Sequence, residues 1–293
     1  MRCFFVSKNK YSQREKSGIA NFSAQHLLIS KRVINELIEL AQIRPSDTIL
    51  DIGAGVGAIT FPAAEKAAQV LAIESDPALA GKIVKKMGKG TNIHVRQADI
   101  LRTSLPKAPF SVVANIPYSI TTPIFGKLLD QPAVPLQRAV LIIEKGAAKR
   151  FTAAPITDPR ILVWRMWHDI RLVRTVSPQH FAPPPRVDSA VVTICKKPAP
   201  AVPLKHYAKF LALASHALRY TLMPFGAALS EIFTSPQLAK LARTLGVDRN
   251  MPISHLQERQ WGELFHAMLR HVEPCRWPRM PKKNARGLRN RRK

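Results

Sequence analysis

The sequence predicts an α/β fold, in which a Rossmann-like domain precedes a small C-terminal all-α domain and a basic tail. Through the first two thirds of the chain, short apolar runs that end in an acid or an amide alternate with helical periodicity, which is typical of a parallel sheet covered by helices. A proline-rich stretch at residues 196–203 then separates this part from segments with helical periodicity alone. The predicted parts are a basic arm, the α/β domain, the helical domain and the tail, at residues 1–20, 21–197, 198–275 and 276–293.

Composition limits the classes of partner. The chain has 293 residues and a formal net charge of +26 at pH 7, which indicates a polyanionic partner and most simply a nucleic acid. No apolar run approaches the roughly 20 residues that span a bilayer. The apolar run at residues 3–6 is too short for a signal peptide, so we expect a cytoplasmic protein that does not bind membranes. The spacing of His266, His271 and Cys275 matches no zinc pattern, and we expect no metal.

The first helix and strand lead to a glycine-rich turn. Ser30 is placed to cap a helix whose apolar face is Val33, Ile34, Leu37, Ile38 and Ala41. A strand at Thr48–Ile52 ends in the turn Gly53-Ala54-Gly55-Val56-Gly57, and a helix is predicted over residues 58–68. Glycines let the backbone approach a ligand closely. The pattern alone also fits a dinucleotide site. Asp51 favours a ligand with a positive charge instead.

Acids end the next two predicted strands as well. Glu74 closes the strand at residues 70–74, about 20 residues after the first glycine, where an acid accepts hydrogen bonds from ribose hydroxyls. Asp99 follows the strand at residues 93–96. A solvated acid at Glu74 and a plain helix cap at Asp99 are the alternatives. Because three acids end successive strands, we favour a shared ligand site.

The segment Asn115-Ile116-Pro117-Tyr118 follows the apolar strand at residues 110–113. In open α/β sheets, ligands bind just outside the carboxyl ends of the strands. The Asn115 side chain can accept a hydrogen bond from an amino group, and the Tyr118 ring offers a face on which a planar base can stack. A simple turn at the end of the strand is the alternative, since Asn and Pro are common turn residues. The segment suits a planar substrate with an exocyclic amine, and adenine is the obvious one.

The remaining elements follow the same reasoning. Further predicted strands are at residues 139–144, 170–176 and 190–194, and a helix is predicted at Thr121–Leu129. The prolines at 183–185 predict a stiff extended loop before the last strand. Helical periodicity recurs at residues 207–218, 236–245 and 256–272. The basic tail is typical of segments that bind RNA phosphates with an affinity that depends on salt.

Three motifs together resemble those of the rRNA adenine N6-methyltransferases. They are the glycine-rich turn, Asn-Ile-Pro-Tyr at residues 115–118, and Phe-Ala-Pro-Pro-Pro-Arg-Val-Asp-Ser at residues 181–189. The stretches at residues 144–150 and 164–167 most resemble the Erm family, 23S rRNA dimethyltransferases that confer macrolide–lincosamide–streptogramin B resistance. The resemblance covers residues 21–277.

The resemblance implies S-adenosyl-L-methionine as the cofactor and 23S rRNA as the partner of a monomer. It implies that the N6 hydrogens of adenine bond to the Asn115 side chain and the Ile116 carbonyl, while Tyr118 and Phe181 stack on the base. His26 stands where the family more often has Asn. The implied cofactor-binding residues are His26, Leu28, Asp51, Gly53, Gly55, Glu74, Asp99, Ile100 and Asn115.

Three other functions share some of these features. One is the related enzyme that dimethylates two adjacent adenines of small-subunit rRNA during ribosome assembly. A DNA adenine methyltransferase is less well matched, since those enzymes usually have a second proline where Ile116 stands. The third is a non-catalytic RNA-binding factor of the same fold. The intact Asn115 and Tyr118 argue against this third function, and the sequence leaves open whether one or two methyl groups are added.

Overall fold

A computed structural model describes residues 26–131 and 133–280. The predicted basic arm at residues 1–20 and the end of the tail, residues 281–293, lie outside the described residues. No helix within the described residues is long and apolar enough to span a membrane.

Strands and helices alternate as the sequence predicts, and the α/β fold is confirmed. The strands are β1 (Leu27–Leu28), β2 (Thr48–Ile52), β3 (Gln69–Glu74), β4 (Ile93–Gln97), β5 (Phe110–Asn115), β6 (Leu136–Glu144), β7 (His168–Val176), β8 (Phe181–Ala182) and β9 (Ser189–Lys196). The helices are α1 (Lys31–Ala41), α2 (Thr60–Ala64), α3 (Pro77–Lys86), α4 (Thr121–Leu129), α5 (Lys145–Thr152), α6 (Pro159–Trp167), α7 (Tyr207–Ala217), α8 (Phe225–Ala228), α9 (Ser235–Leu245) and α10 (Glu258–His271).

The main sheet has seven strands in the order β4-β3-β2-β5-β6-β9-β7. Strands β2 to β6 pair in parallel, whereas β9 runs antiparallel to both β6 and β7. The chain builds outward in one direction from β2 through β3 to β4 and in the other from β5 to β6. This reversal of direction between β2 and β5 is a topological switch point, where open α/β sheets bind their ligands.

The first helix forms for the reason that its sequence predicts. Its apolar face is buried against the sheet: Val33, Ile34, Leu37, Ile38 and Ala41. Ser30 takes the N-cap position with extended backbone, but its side chain makes no capping hydrogen bond.

The predicted helix over residues 58–68 is too long. Gly57 has a φ of +86°, so helical geometry begins only at Thr60. At the other end, the Lys66 N–H bonds to the Ala63 carbonyl in a tighter turn, and α2 ends at Ala64. The chain is then free to enter β3.

Two C-terminal helices, α7 and α10, pack on α6. Trp164 and Trp167 of α6 are buried in this core, and Trp167 lies against Tyr207 and Phe210 of α7. In the proline-rich stretch the Lys197 ammonium bonds to Glu258 of α10 over 2.8 Å. One apolar cluster includes side chains from the sheet and from these helices. The division into two domains stays a prediction.

Candidate active site

The glycine-rich loop after β2 forms one wall of a cleft at the switch point. Gly53 and Gly55 have φ angles of +70° and +58°, which only glycine adopts without strain. A β-carbon on Gly53 would lie 3.3 Å from the Pro117 ring, and one on Gly55 would lie 2.9 Å from a methyl group of Leu27. The two missing side chains therefore leave bare backbone facing the segment that follows β5.

Glu74 connects this loop to the end of β3. Its Oε2 accepts a hydrogen bond from the Gly55 N–H at 2.8 Å, and its Oε1 accepts one from the Asp76 N–H at 2.9 Å. Glu74 is 1% exposed, yet it lines both this hollow and the neighbouring one described below. A carboxylate oxygen has more than one lone pair, so Glu74 can also accept hydrogen bonds from a ligand's hydroxyl groups.

Asn115 ends β5 on the opposite side of the switch point. Its Nδ2 donates to the His26 backbone carbonyl at 2.8 Å. Because a carbonyl can only accept, this bond fixes which end of the amide is nitrogen. Oδ1 has no protein partner within residues 26–131 and 133–280, and it is left as an acceptor for a ligand in the cleft.

Two rings stand beside Asn115. Tyr118 begins the 3-10 turn Tyr118–Ile120, and its hydroxyl bonds to Ser189 Oγ at 2.5 Å. The His26 ring lies 5.7 Å from the Tyr118 ring between centroids, tilted by 37°. Burial raises the pKa of Tyr118, the hydrogen bond to Ser189 lowers it, and the nearby Glu144 charge raises it again. The net shift is upward, so the phenol stays neutral near pH 7. A neutral ring is well suited to stack on a base.

A second hollow adjoins the first and shares Gly53, Glu74 and Pro117 with it. Asp99 and Ile100 line this hollow. Asp99 Oδ1 accepts from the Leu101 N–H at 2.8 Å, and Oδ2 lies 3.7 Å from the exposed Arg102 guanidinium. The hydrogen bond from the Leu101 N–H is of the kind that a helix cap makes, which is the alternative considered from the sequence. Asp99 still has further lone pairs that a ligand can use. The hollow suits a flat ring with an amine at its edge.

Asp51 is buried beside the cleft and lines neither hollow, so its expected contact with a positively charged ligand stays a prediction. The side chain is 1% exposed, and its Oδ2 accepts from the Thr60 hydroxyl at 2.6 Å. Burial raises the pKa of Asp51 to about 7; the Thr60 hydrogen bond opposes this rise and the nearby Glu74 charge adds to it. Asp51 thus fixes Thr60, the first residue of α2, behind the glycine-rich loop. Any effect of Asp51 on the cleft is therefore through the position of the loop backbone.

Two apolar residues of the predicted site, Leu28 and Phe181, lie beneath the cleft. Strand β1 pairs with β8 so that Leu28 lies opposite Phe181. Both side chains are in the apolar core beneath, 5% and 2% exposed, and neither lines the cleft. The lining residue is Leu27, which the sequence analysis missed. Adjacent residues of a strand point to opposite faces, and this alternation was the available signal once β1 was recognised.

The remaining predicted residue is Ile116. Its N–H donates to the Ile142 carbonyl at 3.0 Å, which continues the pairing of β5 with β6 past the end of β5. Its side chain is buried, whereas the residue still contributes to the lining of the cleft. The structure thus brings together His26, Gly53, Gly55, Glu74, Asn115, Ile116 and Tyr118 in one hollow, with Asp99 and Ile100 in the next.

The arrangement of acceptors and glycines fits a ligand that carries a nucleoside, next to a planar base. Bare backbone at Gly53 and Gly55 admits the ligand, and Glu74 offers lone pairs at the place where ribose hydroxyls would lie. The second hollow joins an apolar surface to the Asp99 carboxylate, as an adenine ring with its amine requires. These residues fit S-adenosylmethionine.

Comparison with known proteins agrees with this geometry. The model of the family described as ribosomal RNA adenine dimethylase matches residues 19–269. An rRNA adenine N-6-methyltransferase of Bacillus licheniformis is 42% identical over 263 residues, which are 90% of this chain and 92% of the relative. A probable ribosomal RNA small subunit methyltransferase A of Methanosphaera stadtmanae is 37% identical over 181 residues, 59% of this chain and 65% of the relative.

A solved structure has the same fold. The 23S rRNA methyltransferase ErmE matches with a TM-score of 0.74 at 24% identity, over 83% of this chain and 99% of that one. The resemblance inferred from the motifs is confirmed. The chain belongs to the ribosomal RNA adenine dimethylase family, the enzymes that methylate adenine in ribosomal RNA with S-adenosylmethionine as methyl donor.

Proposed function

We propose that this chain methylates the N6 of a specific adenine in the peptidyl-transferase loop of 23S rRNA, and that it thereby confers macrolide–lincosamide–streptogramin B resistance. One observation supports the large subunit over the small one. The solved structure named as a 23S rRNA methyltransferase matches 83% of this chain with a TM-score of 0.74, whereas the small-subunit methyltransferase of Methanosphaera stadtmanae matches 59% of it. Similarity that includes the C-terminal helices favours a common RNA target, since RNA is bound by more of the protein than the catalytic cleft.

The cofactor residues are proposed from the geometry of the two hollows. Gly53 and Gly55 would face the methionine part, Glu74 would accept from the ribose hydroxyls, and Asp99 with Ile100 would hold the adenine. When bound, S-adenosylmethionine supplies a methyl group whose bond to sulfur breaks, with both electrons staying on sulfur, as the new bond to nitrogen forms. Asp51 and Leu28 would support this site from behind the loop and from the core.

The substrate amine would be held at Asn115. An N6 hydrogen donates to Oδ1, which the bond from Nδ2 to His26 keeps in place, and the Ile116 carbonyl is the second acceptor that we expect. Hydrogen bonds from the amine to these acceptors localise its lone pair, which is otherwise delocalised into the ring. No strong base is required, since the proton can leave after the methyl group is transferred. Correct positioning of the two reactants then contributes roughly 7–11 kcal/mol over a bimolecular encounter.

Tyr118 would hold the target base out of its stack. Its ring is anchored by Ser189 on one edge and neighbours the His26 ring. Extruding a base costs a few kcal/mol and least in a single-stranded loop, which fits a loop of 23S rRNA. Phe181 would contribute only from beneath, because its ring is in the core.

The charge of the chain favours RNA as the partner. The formal net charge of +26 makes phosphate contacts a large part of the affinity. Cationic side chains follow β6 at the same edge of the sheet as the cleft: Lys145, Lys149 and Arg150 of α5. We expect the protein to act as a monomer in the cytoplasm, where its rRNA is made.

The test is to incubate the purified chain with radiolabelled S-adenosylmethionine and with protein-free 23S and 16S rRNA, and to map modified adenines by primer extension. A single stop in the peptidyl-transferase loop of 23S rRNA supports the proposal. Stops only near the 3′ end of 16S rRNA would assign the chain to small-subunit assembly instead. Label on neither RNA, with RNA binding intact, would indicate a non-catalytic factor.

A further inference from the structure

The Tyr118 hydroxyl reaches across the end of β6 to its partner on β9. Tyr118 follows β5, Ser189 begins β9, and β6 lies between these two strands in the sheet. The hydrogen bond between Tyr118 and Ser189 therefore joins groups whose strands are two places apart. Because Ser189 is fully buried, the position of the ring depends on where β9 begins.

Two bonds from one residue hold the start of β9 on the end of β6. The N–H of Lys145, the first residue of α5, donates to the Asp188 carbonyl at 3.0 Å, and its ammonium donates to Asp188 Oδ2 at 2.9 Å. The neighbouring residues Glu144 and Ser189 lie opposite each other in the pairing of β6 with β9. Asp188 follows Val187, which is 46% exposed. Since strand ends next to exposed loops open most readily, the two bonds limit the movement of Ser189.

The side chains of Lys145 and Asp188 are outside the cleft. They are 35% and 40% exposed, and neither residue lines either hollow. An ion pair this exposed adds little to the stability of the whole protein. Lys149, one turn further along α5, is exposed and has no side-chain hydrogen bond or ion pair within residues 26–131 and 133–280. The charge of Lys145 is therefore used inside the protein, whereas that of Lys149 is available to RNA phosphates.

The contacts thus run from α5 through the start of β9 to the ring beside Asn115. We propose that Lys145 is a positioning residue for methyl transfer: its bonds to Asp188 fix Ser189, and Ser189 fixes the Tyr118 ring on which the target base stacks. A displaced ring would misalign the base with the methyl donor, and reaction rates fall steeply with such small displacements. The inference rests on the proposed function, and it assigns Lys145 to the rate of the chemical step instead of the affinity for RNA.

The test separates the rate of the chemical step from the affinity for RNA. We would measure single-turnover methylation at saturating rRNA fragment and S-adenosylmethionine, and the dissociation constant of the fragment, for wild type, Lys145→Met, Lys145→Arg and Asp188→Asn. The two variants that lose the ion pair should lose about threefold to tenfold in rate, the effect of one hydrogen bond, while RNA affinity stays within about twofold of wild type. Lys145→Arg should keep most of the rate, because an arginine can still pair with Asp188.

Asp188→Asn distinguishes this role from a phosphate contact by the direction of its effect. If Lys145 bound a phosphate, Asp188→Asn would free its ammonium, so RNA affinity would rise and the rate would stay the same; that result would overturn the proposal. Lys149→Met is the comparison for a phosphate contact and should weaken RNA binding alone. Lys82→Met, at an exposed position of α3, is the neutral control and should match wild type in both quantities.

The path through Tyr118 is tested in the Tyr118→Phe background. That variant lacks the bond to Ser189, so Lys145→Met should cause no further loss of rate there. Losses that multiply in the double variant would overturn the proposal. So would a Lys145→Met variant whose entire loss is in RNA affinity.

A readout that needs no methylation keeps this inference separate from the proposed function. The ¹³C NMR signal of the Tyr118 Cζ atom, assigned by its absence in Tyr118→Phe, should shift in Lys145→Met and Asp188→Asn toward its position in Ser189→Ala. A signal that stays at the wild-type position in both variants would overturn the inference, whatever the activity. If wild type methylates no rRNA while the signal shifts, the proposed function fails and the coupling of Lys145 to the ring stands.

Discussion

The Asn115 side chain and the His26 backbone, 89 residues apart in sequence, are joined by a 2.8 Å hydrogen bond that spans the mouth of the cleft. The bond connects the end of β5 to the segment before β1, which is itself paired with β8. Asn115 Nδ2 is thereby occupied, and Oδ1 remains as the acceptor. The position of the proposed substrate acceptor thus depends on three separate parts of the chain.

Removal of the Asn115 amide should abolish most of the activity. In Asn115→Ala the amine of the target base loses its acceptor, and the His26 carbonyl loses its donor. We expect the methylation rate to fall about 100-fold or more, as for other preorganised groups at a reacting centre, with a smaller change in S-adenosylhomocysteine affinity. Single-turnover rates and calorimetry measure the two effects.

The matched control for this change is Asn250→Ala, in an exposed loop far along the chain. It should keep the wild-type rate. Activity of Asn115→Ala within about twofold of wild type would show that the acceptor is elsewhere, because such a loss is below that of one ordinary hydrogen bond.

The Tyr118 ring and its hydroxyl should contribute unequally. Tyr118→Phe keeps the stacking face and loses the bond to Ser189, so we expect a loss of about tenfold or less, while Tyr118→Ala should lose about 100-fold, since stacking on a base is worth roughly 1–3 kcal/mol. Ser189→Ala combined with Tyr118→Phe tests whether the hydroxyl acts through Ser189. Single losses that multiply in the double variant would contradict that coupling.

A side chain at Gly55 should weaken cofactor binding for two reasons, the steric overlap with Leu27 and the left-handed backbone conformation. Gly55→Ala strains a φ of +58° and places a methyl group 2.9 Å from the Leu27 side chain. Gly90→Ala is the control, since Gly90 has a φ of +73° with nothing within 4 Å of the added carbon. Both variants should lose about 1 kcal/mol of unfolding free energy or more.

Only Gly55→Ala should also weaken S-adenosylhomocysteine binding, by about tenfold or more, which corresponds to roughly 1.4 kcal/mol. Calorimetry with each purified variant gives the comparison. Equal affinities for the two variants would mean that the contact between Gly55 and Leu27 does not shape the cofactor site.

Asp51 should make the stability of the protein depend on pH. Its pKa is raised from 3.8 to about 7 in the folded protein, so between about pH 4 and pH 7 the folded protein holds a proton that the unfolded chain has released. The free energy of unfolding should therefore fall as pH rises through this window, by up to about 1.4 kcal/mol per pH unit from this group.

Asp51→Asn keeps an acceptor for the Thr60 hydroxyl and removes the titration. Urea unfolding at several pH values in this window should show a shallower fall for the variant than for wild type. Identical pH dependence in the two proteins would mean that Asp51 is ionised in the fold throughout.

Local patterns predicted the strands, the glycine turn and the segment around Asn115, because apolar runs and strand-end polar groups are properties of neighbouring residues. The same pattern does not distinguish Asp51, the penultimate residue of β2, from Glu74, the last residue of β3. The difference lies in Thr60, whose hydroxyl reaches back to Asp51, whereas Glu74 is held by N–H groups of the loop. Only the folded loop distinguishes the two acids.

The burial of Leu28 and Phe181 beneath the cleft has a long-range cause. Which residue of β1 faces the cleft is set by pairing with β8, more than 150 residues later in the chain. A shift by one residue exchanges the two faces of a strand, and a two-residue strand has too little pattern to reveal its register. The family resemblance identified the segment, and in the structure Leu27 is the residue of this segment that lines the cleft beside His26.

The most direct test of the account is the chemical identity of the product. We would digest 23S rRNA treated with the chain to nucleosides and analyse them by mass spectrometry, for wild type and for Asn115→Ala. The account predicts N6-methyladenosine, N6,N6-dimethyladenosine or both with wild type, and neither with the variant. Methylation of another nucleoside, or undiminished methyladenosine with Asn115→Ala, would contradict the claim that this cleft transfers a methyl group to the adenine amine.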